Sequence, residues 1–396
     1  MIIGNINGLV VEMQAQESEV KPYLIDEIKD LGAFDVTACY NCGTCTVTCP
    51  LSVAGTEFPR KIIRYGVLGL EKKLLSMPQP WLCYYCGDCS KECPRGADPG
   101  AFMMAARRFS IIKYSIGGFA KVFYSKISAL IALLLISAIA TLGLFYFTEN
   151  ASLNLVTFNP YALTEYDFIH NAGLTLGIFV GIVALIHALK MYSYIKLDLP
   201  QNKKVPVSSK IVYLIKSLVL TVINEGAFEL RYLKCEKRGR YIAHMTIAWG
   251  MILLFAASGL NYVRDSYLLG DTISSLIGTL IPRYLGIASG IITTYGILYF
   301  LYNRAKKSDE YFEYSHISDG IFLLLLFISV LTGFIIDIFM YANMAYYAYV
   351  LYFIHLIAVF DLIVTAPFTK FIHWEYRLLA VWLSEYKSLV LLHKQA

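Results

Sequence analysis

The chain has 396 residues, of which 57% are hydrophobic and 16% are charged, and its formal net charge is +5. This composition is too apolar for a single soluble domain and predicts a membrane protein. We find no Walker loop, no dinucleotide-binding glycine motif and no hydrolytic triad. The small positive charge is explained by membrane topology, so we expect no nucleic-acid partner.

Two copies of one cysteine motif follow an amino-terminal segment, residues 1–35, and lie within residues 36–110. Each copy reads C-x2-C-x2-C-x3-C-P, the run that binds 4Fe–4S clusters in two-cluster ferredoxins, where the fourth cysteine ligates the other cluster. The motif therefore predicts two 4Fe–4S clusters with crossed ligands. The predicted ligands are Cys39, Cys42, Cys45 and Cys93 for cluster 1, and Cys83, Cys86, Cys89 and Cys49 for cluster 2.

Zinc and disulfide bonds are weaker explanations of these cysteines. A tetrahedral zinc ion usually takes paired cysteines and has little use for a third one three residues further on. Disulfides need an oxidising compartment and give no reason for two identical spacings. The ninth cysteine, Cys235, lies in a polar linker and is interpreted as a free thiol. Eight cluster cysteines also imply a reducing cytoplasm on their side of the membrane.

Six apolar segments are long enough to cross a bilayer, and a seventh is not evident. The first two lie within residues 111–192, and the other four lie within a predicted haem-binding core, residues 241–373. Between them is a basic linker, residues 193–240, in which residues 207–224 predict an amphipathic helix on the membrane surface. Residues 374–396 form the tail. The predicted spans are 127–147, 168–190, 241–262, 284–302, 317–340 and 346–368.

Basic residues are concentrated before the first span, in the linker, after the fourth span and in the tail. The opposite loops hold only Arg264 and Arg283. By the positive-inside rule, both termini and the iron–sulfur domain face the cytoplasm, and the protein lies in the cell membrane.

Three histidines near the third and sixth spans are candidate haem ligands, because histidines within spans are functional by default. His244 lies at the start of the third span, and His355 and His373 belong to the sixth span and its continuation. The last two are 18 residues apart, which is five helical turns and about 27 Å, so both rings leave the same face. This spacing predicts two haems stacked across the bilayer, against the alternative of ordinary buried histidines.

Three segments resemble known electron-transfer families. The segment Tyr352-Phe-Ile-His355 to Lys370-Phe-Ile-His373-Trp374 resembles the last haem-binding helix of the cytochrome b (gamma) subunit of respiratory nitrate reductase. Arg240-Tyr-Ile-Ala-His244, followed by Trp249-Gly250, resembles the first ligand helix of that family and of the membrane subunit of heterodisulfide reductase. Residues 36 to about 105 resemble the two-cluster iron–sulfur subunit of heterodisulfide reductases.

The resemblance implies an all-α membrane protein, with an α-helical dicluster ferredoxin-like domain followed by a six-helix transmembrane bundle. It also implies that His244 and His373 bind a haem b near the cytoplasm, and that His355 binds a second haem b. The usual partner of His355 falls on Leu254 in this chain. The second haem is then five-coordinate, takes a histidine from another helix, or is absent.

His170 is the first candidate for the missing ligand because it lies on the outer part of span two, and His187 and His316 come after it. A rival arrangement pairs His170 with His355 and His187 with His373. The 17-residue step between His170 and His187 turns their rings about 100° apart, which disfavours this arrangement. Arg264, Asp265 and His170 are candidates for bordering a lipid-carrier site.

The family resemblance implies an electron-transfer subunit and no catalytic residue of its own. Electrons would pass between a membrane quinone-type carrier, the b-type haems, the two clusters and a cytoplasmic oxidoreductase subunit that is cysteine-rich or a flavoprotein. The chain has no adjacent cysteine pair, so disulfide chemistry would belong to a partner in a heterodisulfide reductase-like complex. A redox sensor or a cation-translocating anchor is a further alternative, disfavoured by the spaced histidines and the few acidic residues within the spans.

Overall fold

A computed structural model describes residues 19–52, 58–148, 153–163, 165–196, 206–230, 232–234, 238–267 and 280–392. All regular structure in these ranges is helical. Short helices form the amino-terminal part, and long helices form a bundle after it. The short helices at the start are α1 (Leu24–Lys29), α2 (Thr44–Thr48), α3 (Arg60–Val67), α4 (Glu71–Ser76), α5 (Gln79–Leu82) and α6 (Asp88–Lys91).

Helix α7 (Pro99–Tyr114) is the central helix of the amino-terminal domain. The Asp98 carboxylate caps it by accepting a hydrogen bond of 3.0 Å from the Ala101 N–H, and Pro99 at the first position suits a helix start. Phe102 and Phe109 on α7 are buried in the core of this domain. Burial of each such side chain stabilises the fold by about 1.5–3 kcal/mol.

The bundle consists of long helices joined by short ones. They are α8 (Lys126–Thr148), α9 (Pro160–Leu163), α10 (Tyr166–Ile195), α11 (Val207–Thr221), α12 (Arg238–Tyr267), α13 (Ile281–Lys306), α14 (Glu310–Glu313), α15 (Ile317–Tyr341), α16 (Ala345–Thr365) and α17 (His373–Leu392). A six-residue π-helix, Val222–Ala227, continues α11. Two short turns of 3-10 helix lie between α16 and α17.

Seven helices in the described part of the chain are long and apolar enough to cross a membrane. Six of them, α8, α10, α12, α13, α15 and α16, coincide with the predicted spans. The seventh, Val207–Ala227, is the segment for which the sequence predicts an amphipathic surface helix. The structure thus supports a multi-pass membrane protein without confirming the number of six spans.

The end of α10 and the start of α12, which flank the linker containing α11, both contact the amino-terminal domain. Met191 and Ile195, near the end of α10, are buried in the core of the amino-terminal domain. Arg240, at the start of α12, donates a hydrogen bond of 2.8 Å to the Tyr85 carbonyl of the same domain. Helix α11 packs along α17, where the Trp382 indole donates to the Leu214 carbonyl at 3.0 Å. Both flanks of α11 therefore lie at the same end of the bundle.

One buried carboxylate joins the amino-terminal domain to the bundle. Asp319, at the start of α15, lies 3.2 Å from Arg108 on α7 and 3.3 Å from Lys370 after α16. It also lies 3.7 Å from Arg304 near the end of α13. The Asp319 side chain is only 5% exposed, so water screens these contacts weakly.

We expect Asp319→Asn to destabilise the protein by about 3–5 kcal/mol, because it leaves three cations close together without their shared counter-charge. The unfolding midpoint of the detergent-solubilised protein is the measurement. Glu313→Gln is the matched control, since Glu313 is exposed and lies on the turn before Asp319. Equal unfolding midpoints for the two variants would contradict the central role of Asp319.

Candidate iron–sulfur and haem sites

Two small cavities in the amino-terminal domain are each lined by four cysteines. Each cavity takes three cysteines from one motif and the fourth from the other motif, which is the crossed arrangement that the sequence predicts. The first is lined by Cys39, Cys42, Cys45 and Cys93. The second is lined by Cys83, Cys86, Cys89 and Cys49.

The two motifs repeat one backbone turn. Gly43 and Gly87, each following the second cysteine of its motif, have φ of 93° and 96° and precede the short helices α2 and α6. Glycine adopts this left-handed conformation without the steric cost of a side chain. The turn lets three cysteines in each motif surround one cavity.

The cysteines surround a volume instead of converging on a point. In the described part of the chain, no three His, Cys, Asp or Glu side chains lie close enough to hold a single metal ion. A cubane cluster, in contrast, takes its four thiolates at separate corners. Burial raises the pKa of Cys49 to about 11, so binding of iron must displace the thiol proton.

Three arginines hold the peptide segment that carries the second cavity. Arg107 donates to the carbonyls of Pro80 and Cys83. Arg377 donates to the Trp81 carbonyl, and Arg240 donates to the carbonyls of Tyr84 and Tyr85. A cluster ligated by four thiolates carries negative charge, so guanidinium groups at this position would stabilise its reduced form. This group of arginines beside the second cavity could not be predicted from the sequence, because the three residues are far apart in the chain.

His244 and His373 face each other across the start of α12 and the start of α17. Their ring centroids are 6.1 Å apart and the rings are inclined by 76°. A metal bound by each ring nitrogen at about 2 Å would hold the ring centroids about 6 Å apart. The spacing therefore accommodates one iron atom between the two rings, although an edge-to-face aromatic pair has a similar centroid distance.

The atoms beside Nδ1 of these two histidines are of the kind that accompany metal ligands. Nδ1 of His244 lies 3.0 Å from a carboxylate oxygen of Glu229, and Nδ1 of His373 lies 2.5 Å from the Lys370 carbonyl. The His373 contact has hydrogen-bond geometry, whereas the His244 contact is an ion-pair distance only. Metal-bound histidines typically have a carboxylate or carbonyl oxygen beside their second nitrogen. Neither Nε2 atom has a hydrogen-bond partner among the described residues. Burial, with His244 and Lys370, lowers the pKa of His373 to about 3.

The cavity beside these rings, of about 270 Å³, has the walls and the charges that a haem requires. Phe300, Phe322 and Phe371 contribute to its apolar walls. Arg304 and Lys370 also line it, and with Arg108 they outnumber their shared carboxylate by three to one. Nε of Arg304 has no hydrogen-bond partner within the described ranges. Two haem propionates would neutralise the excess positive charge, so the residues present fit a b-type haem.

Aromatic side chains connect the second cysteine cavity to the cavity beside His244 and His373. The ring of Tyr84 stacks on Tyr232 at 4.6 Å, and Tyr232 lies 6.0 Å from His244. A second route runs from Tyr85 to Tyr311, with ring centroids 5.7 Å apart, and Tyr311 lines the haem cavity. The Arg240 guanidinium lies over both bridging rings, at 5.4 Å from Tyr232 and 4.5 Å from Tyr311.

His355 lines a different and larger cavity, of about 600 Å³, between α12, α13, α15 and α16. Its Nδ1 lies 2.9 Å from the Thr332 hydroxyl. Leu254, which occupies the place of the usual second ligand, lines the same cavity, together with Arg264. Among the described residues, no other histidine lines this cavity.

The other histidines considered from the sequence are engaged elsewhere. Nδ1 of His170 lies 2.8 Å from the Tyr166 carbonyl and its ring packs 5.2 Å from Tyr262, so the structure does not bring His170 to His355. His187 accepts a hydrogen bond of 3.1 Å from a backbone N–H, and His316 caps α15. The rival pairing of histidines is therefore not formed. Cys235 and the side chain of Asp265 lie outside the described residues.

Glu229, Asp319 and Thr332 were missed by the sequence interpretation. The sequence could have indicated Asp319, because it is an acidic residue just inside a predicted span, where charged residues are rare. It could not have indicated Glu229 and Thr332, because their proximity to histidines depends on how separate helices pack.

The cysteine-rich part of the chain is similar to known iron–sulfur proteins. Residues 35–97 match the family model of the 4Fe-4S dicluster domain. The chain is 38% identical over 108 residues to a heterodisulfide reductase C-subunit-like protein of Archaeoglobus profundus, and this match covers 27% of the chain. It spans 57% of that relative's length. No solved structure matches the chain.

These matches support two 4Fe–4S clusters, and the resemblance of the spans to cytochrome b stays a prediction. The cysteine-rich part of the chain is thus similar to a heterodisulfide reductase-type iron–sulfur protein, as the sequence predicts.

Proposed function

We propose that the protein is an electron-transfer subunit of a quinone-linked oxidoreductase complex. Electrons would pass between a quinone-type lipid carrier, a haem b bound by His244 and His373, the two clusters and a cytoplasmic partner. The contact between the second cysteine cavity and the haem site carries this proposal, since Tyr84 and Tyr85 reach the surroundings of His244 within two aromatic contacts.

The chain's own residues would hold and orient the redox groups. A bound haem supplies one-electron chemistry at the end of the bundle nearest the clusters. Glu229 and Lys370 would fix the ligand rings, and Arg304 would neutralise a propionate. A quinol releases two electrons and two protons, so two single-electron transfers are needed for each carrier molecule.

The order of the carriers follows from their positions. Cluster 2 would lie beside the haem, because its cysteine loop contacts Arg240 and Tyr232. Cluster 1 would face outward, since Cys42 is exposed and the neighbouring Val47 and Tyr40 are 89% and 59% exposed. The partner protein would therefore dock on the face that carries the first motif.

The path of the chain supports the predicted topology of six crossings. Both flanks of α11 contact the iron–sulfur domain, so two crossings, α8 and α10, precede α12 and α11 lies along the membrane surface beside α17. Four further crossings return the chain to the same side. With the positive-inside rule, both termini and the clusters are cytoplasmic.

The relative from Archaeoglobus favours one form of this function. Its name suggests a partner of the heterodisulfide reductase type, so the chain would be the membrane anchor of a complex whose cysteine-rich subunit performs disulfide and thiol chemistry. A flavoprotein partner is the alternative. Co-purification of the native complex with analysis of its flavin and cysteine-rich subunits separates the two.

The haem test compares His373→Leu with wild type. We expect the variant to lose the low-spin b-type spectrum while both clusters remain, because the iron loses one of its two ligands. Haem content and low-temperature spectra, with iron determination, are the measurements. His187→Leu is the control, since His187 is a buried histidine whose ring contact is with Phe368, outside the haem cavity. An unchanged haem spectrum in His373→Leu would refute the proposed ligation.

The crossed ligands are tested with pairs of cysteine substitutions. We expect Cys39→Ser combined with Cys93→Ser to damage one cluster, because both residues line one cavity. Cys39→Ser combined with Cys49→Ser should damage both clusters, because the residues line different cavities. Electron paramagnetic resonance of the reduced protein counts the clusters. The opposite pattern would show that each motif ligates its own cluster, and Cys235→Ser is the control.

A further inference from the structure

The cavity that contains His355 lies towards the end of the bundle opposite the iron–sulfur domain. Arg264 belongs to the last turns of α12, Arg283 to the first turn of α13, and Asp337 to the last turns of α15. All three line the cavity at that end. Leucine, isoleucine and phenylalanine side chains line much of the rest. The cavity therefore has an apolar interior and a polar mouth.

His355 offers a single lone pair to this interior. Oγ1 of Thr332 lies 2.7 Å from the Ile328 carbonyl, to which it donates, and 2.9 Å from Nδ1 of His355. We assign the neutral tautomer in which Nδ1–H of His355 donates to this hydroxyl. In this neutral tautomer, Nε2 is a bare acceptor. It suits a hydroxyl donor on a ligand, or a metal.

A haem in this cavity would lack what the His244 and His373 site provides. No second imidazole from the described residues lines the cavity, and Leu254 takes the place of the usual partner. The charges also differ, because Arg283 lies 3.7 Å from Asp337 and its guanidinium packs 4.4 Å from the Tyr341 ring. With Arg264, the described residues of the mouth carry two arginines for one carboxylate, one cation fewer than the three around Asp319 at the other site.

We propose that this cavity binds the ring of the quinol-type carrier in place of a second haem, and that His355 accepts a hydrogen bond from a ring hydroxyl. The proposal rests on the proposed function and assigns a site to its carrier. An apolar cavity with few polar groups is the usual environment for such a ring.

The position of the cavity suits electron transfer to the single haem. Met251 and Phe255 line both this cavity and the cavity beside His244 and His373. Only one layer of side chains therefore separates a bound quinol ring from the haem site. The mouth, with Asp337, gives the released protons a polar exit on the side away from the clusters.

The experiment measures haem content and ligand binding separately in wild type, His355→Leu and His355→Gln. Binding of menadiol to the full chain in detergent is followed by calorimetry, and haem is determined as moles per mole of chain. We expect one haem per chain in all three proteins. His355→Leu should weaken menadiol binding about tenfold, the loss expected for one hydrogen bond of about 1.4 kcal/mol, and His355→Gln should restore part of it.

His170→Leu is the matched control, because His170 lies on the same half of the bundle but outside the cavity, and it should bind menadiol like wild type. Two haems in wild type, with one lost in His355→Leu, would make His355 a haem ligand and overturn the inference. Unchanged menadiol binding in His355→Leu would also overturn it. A wild-type chain without haem would refute the proposed function, while the calorimetric result would still decide the inference.

Discussion

The arrangement of the redox sites depends on Asp319. This single buried carboxylate lies within 4 Å of a cation from the iron–sulfur domain and of two cations from the bundle. Charges that are buried together are stabilised only while their partners remain in place, so the contact fixes the distance between α7 and the ends of α13, α15 and α16. Because α7 packs in the core that carries the cysteine cavities, the same contact sets how closely those cavities approach the proposed haem site.

The excess positive charge around Asp319 gives this contact a second role. Three cations and one carboxylate are a costly arrangement in an apolar interior unless further negative charge is bound. Haem propionates would supply that charge, and Arg304 and Lys370 already line the cavity in which they would lie. The haem binding that we propose and the docking of the iron–sulfur domain would thereby be coupled through one group of side chains. In a protein assembled from separate subunits, the same coupling would have to form at a subunit interface.

The sequence predicted what local spacing controls and missed what tertiary packing controls. The cysteine motifs specified two sets of crossed ligands because each motif is short and its turn is set by one glycine, and the structure brings those sets together. The pairing of His244 with His373 was predicted from family resemblance. Glu229, Thr332 and Arg240 could not be predicted, because each acts on a residue of another helix or loop, or of another domain. The helix Val207–Ala227 was ambiguous, since its length and composition suit a span while its flanks lie at one end of the bundle.

The two histidine cavities differ in the role that we propose for histidine, which is a haem ligand in one and a hydrogen-bond acceptor in the other. His244 and His373 each have an oxygen within 3.0 Å of Nδ1 and face one another, so in the proposed function their two Nε2 atoms would share one metal. His355 has an Nδ1 partner as well, but it lines a cavity in which Leu254 stands where a second ring would be required. One lone pair without an opposing ligand is a hydrogen-bond acceptor for a hydroxyl group. In the function that we propose, Leu254 at this place leaves His355 to bind the carrier, which would deliver electrons to the haem held by His244 and His373.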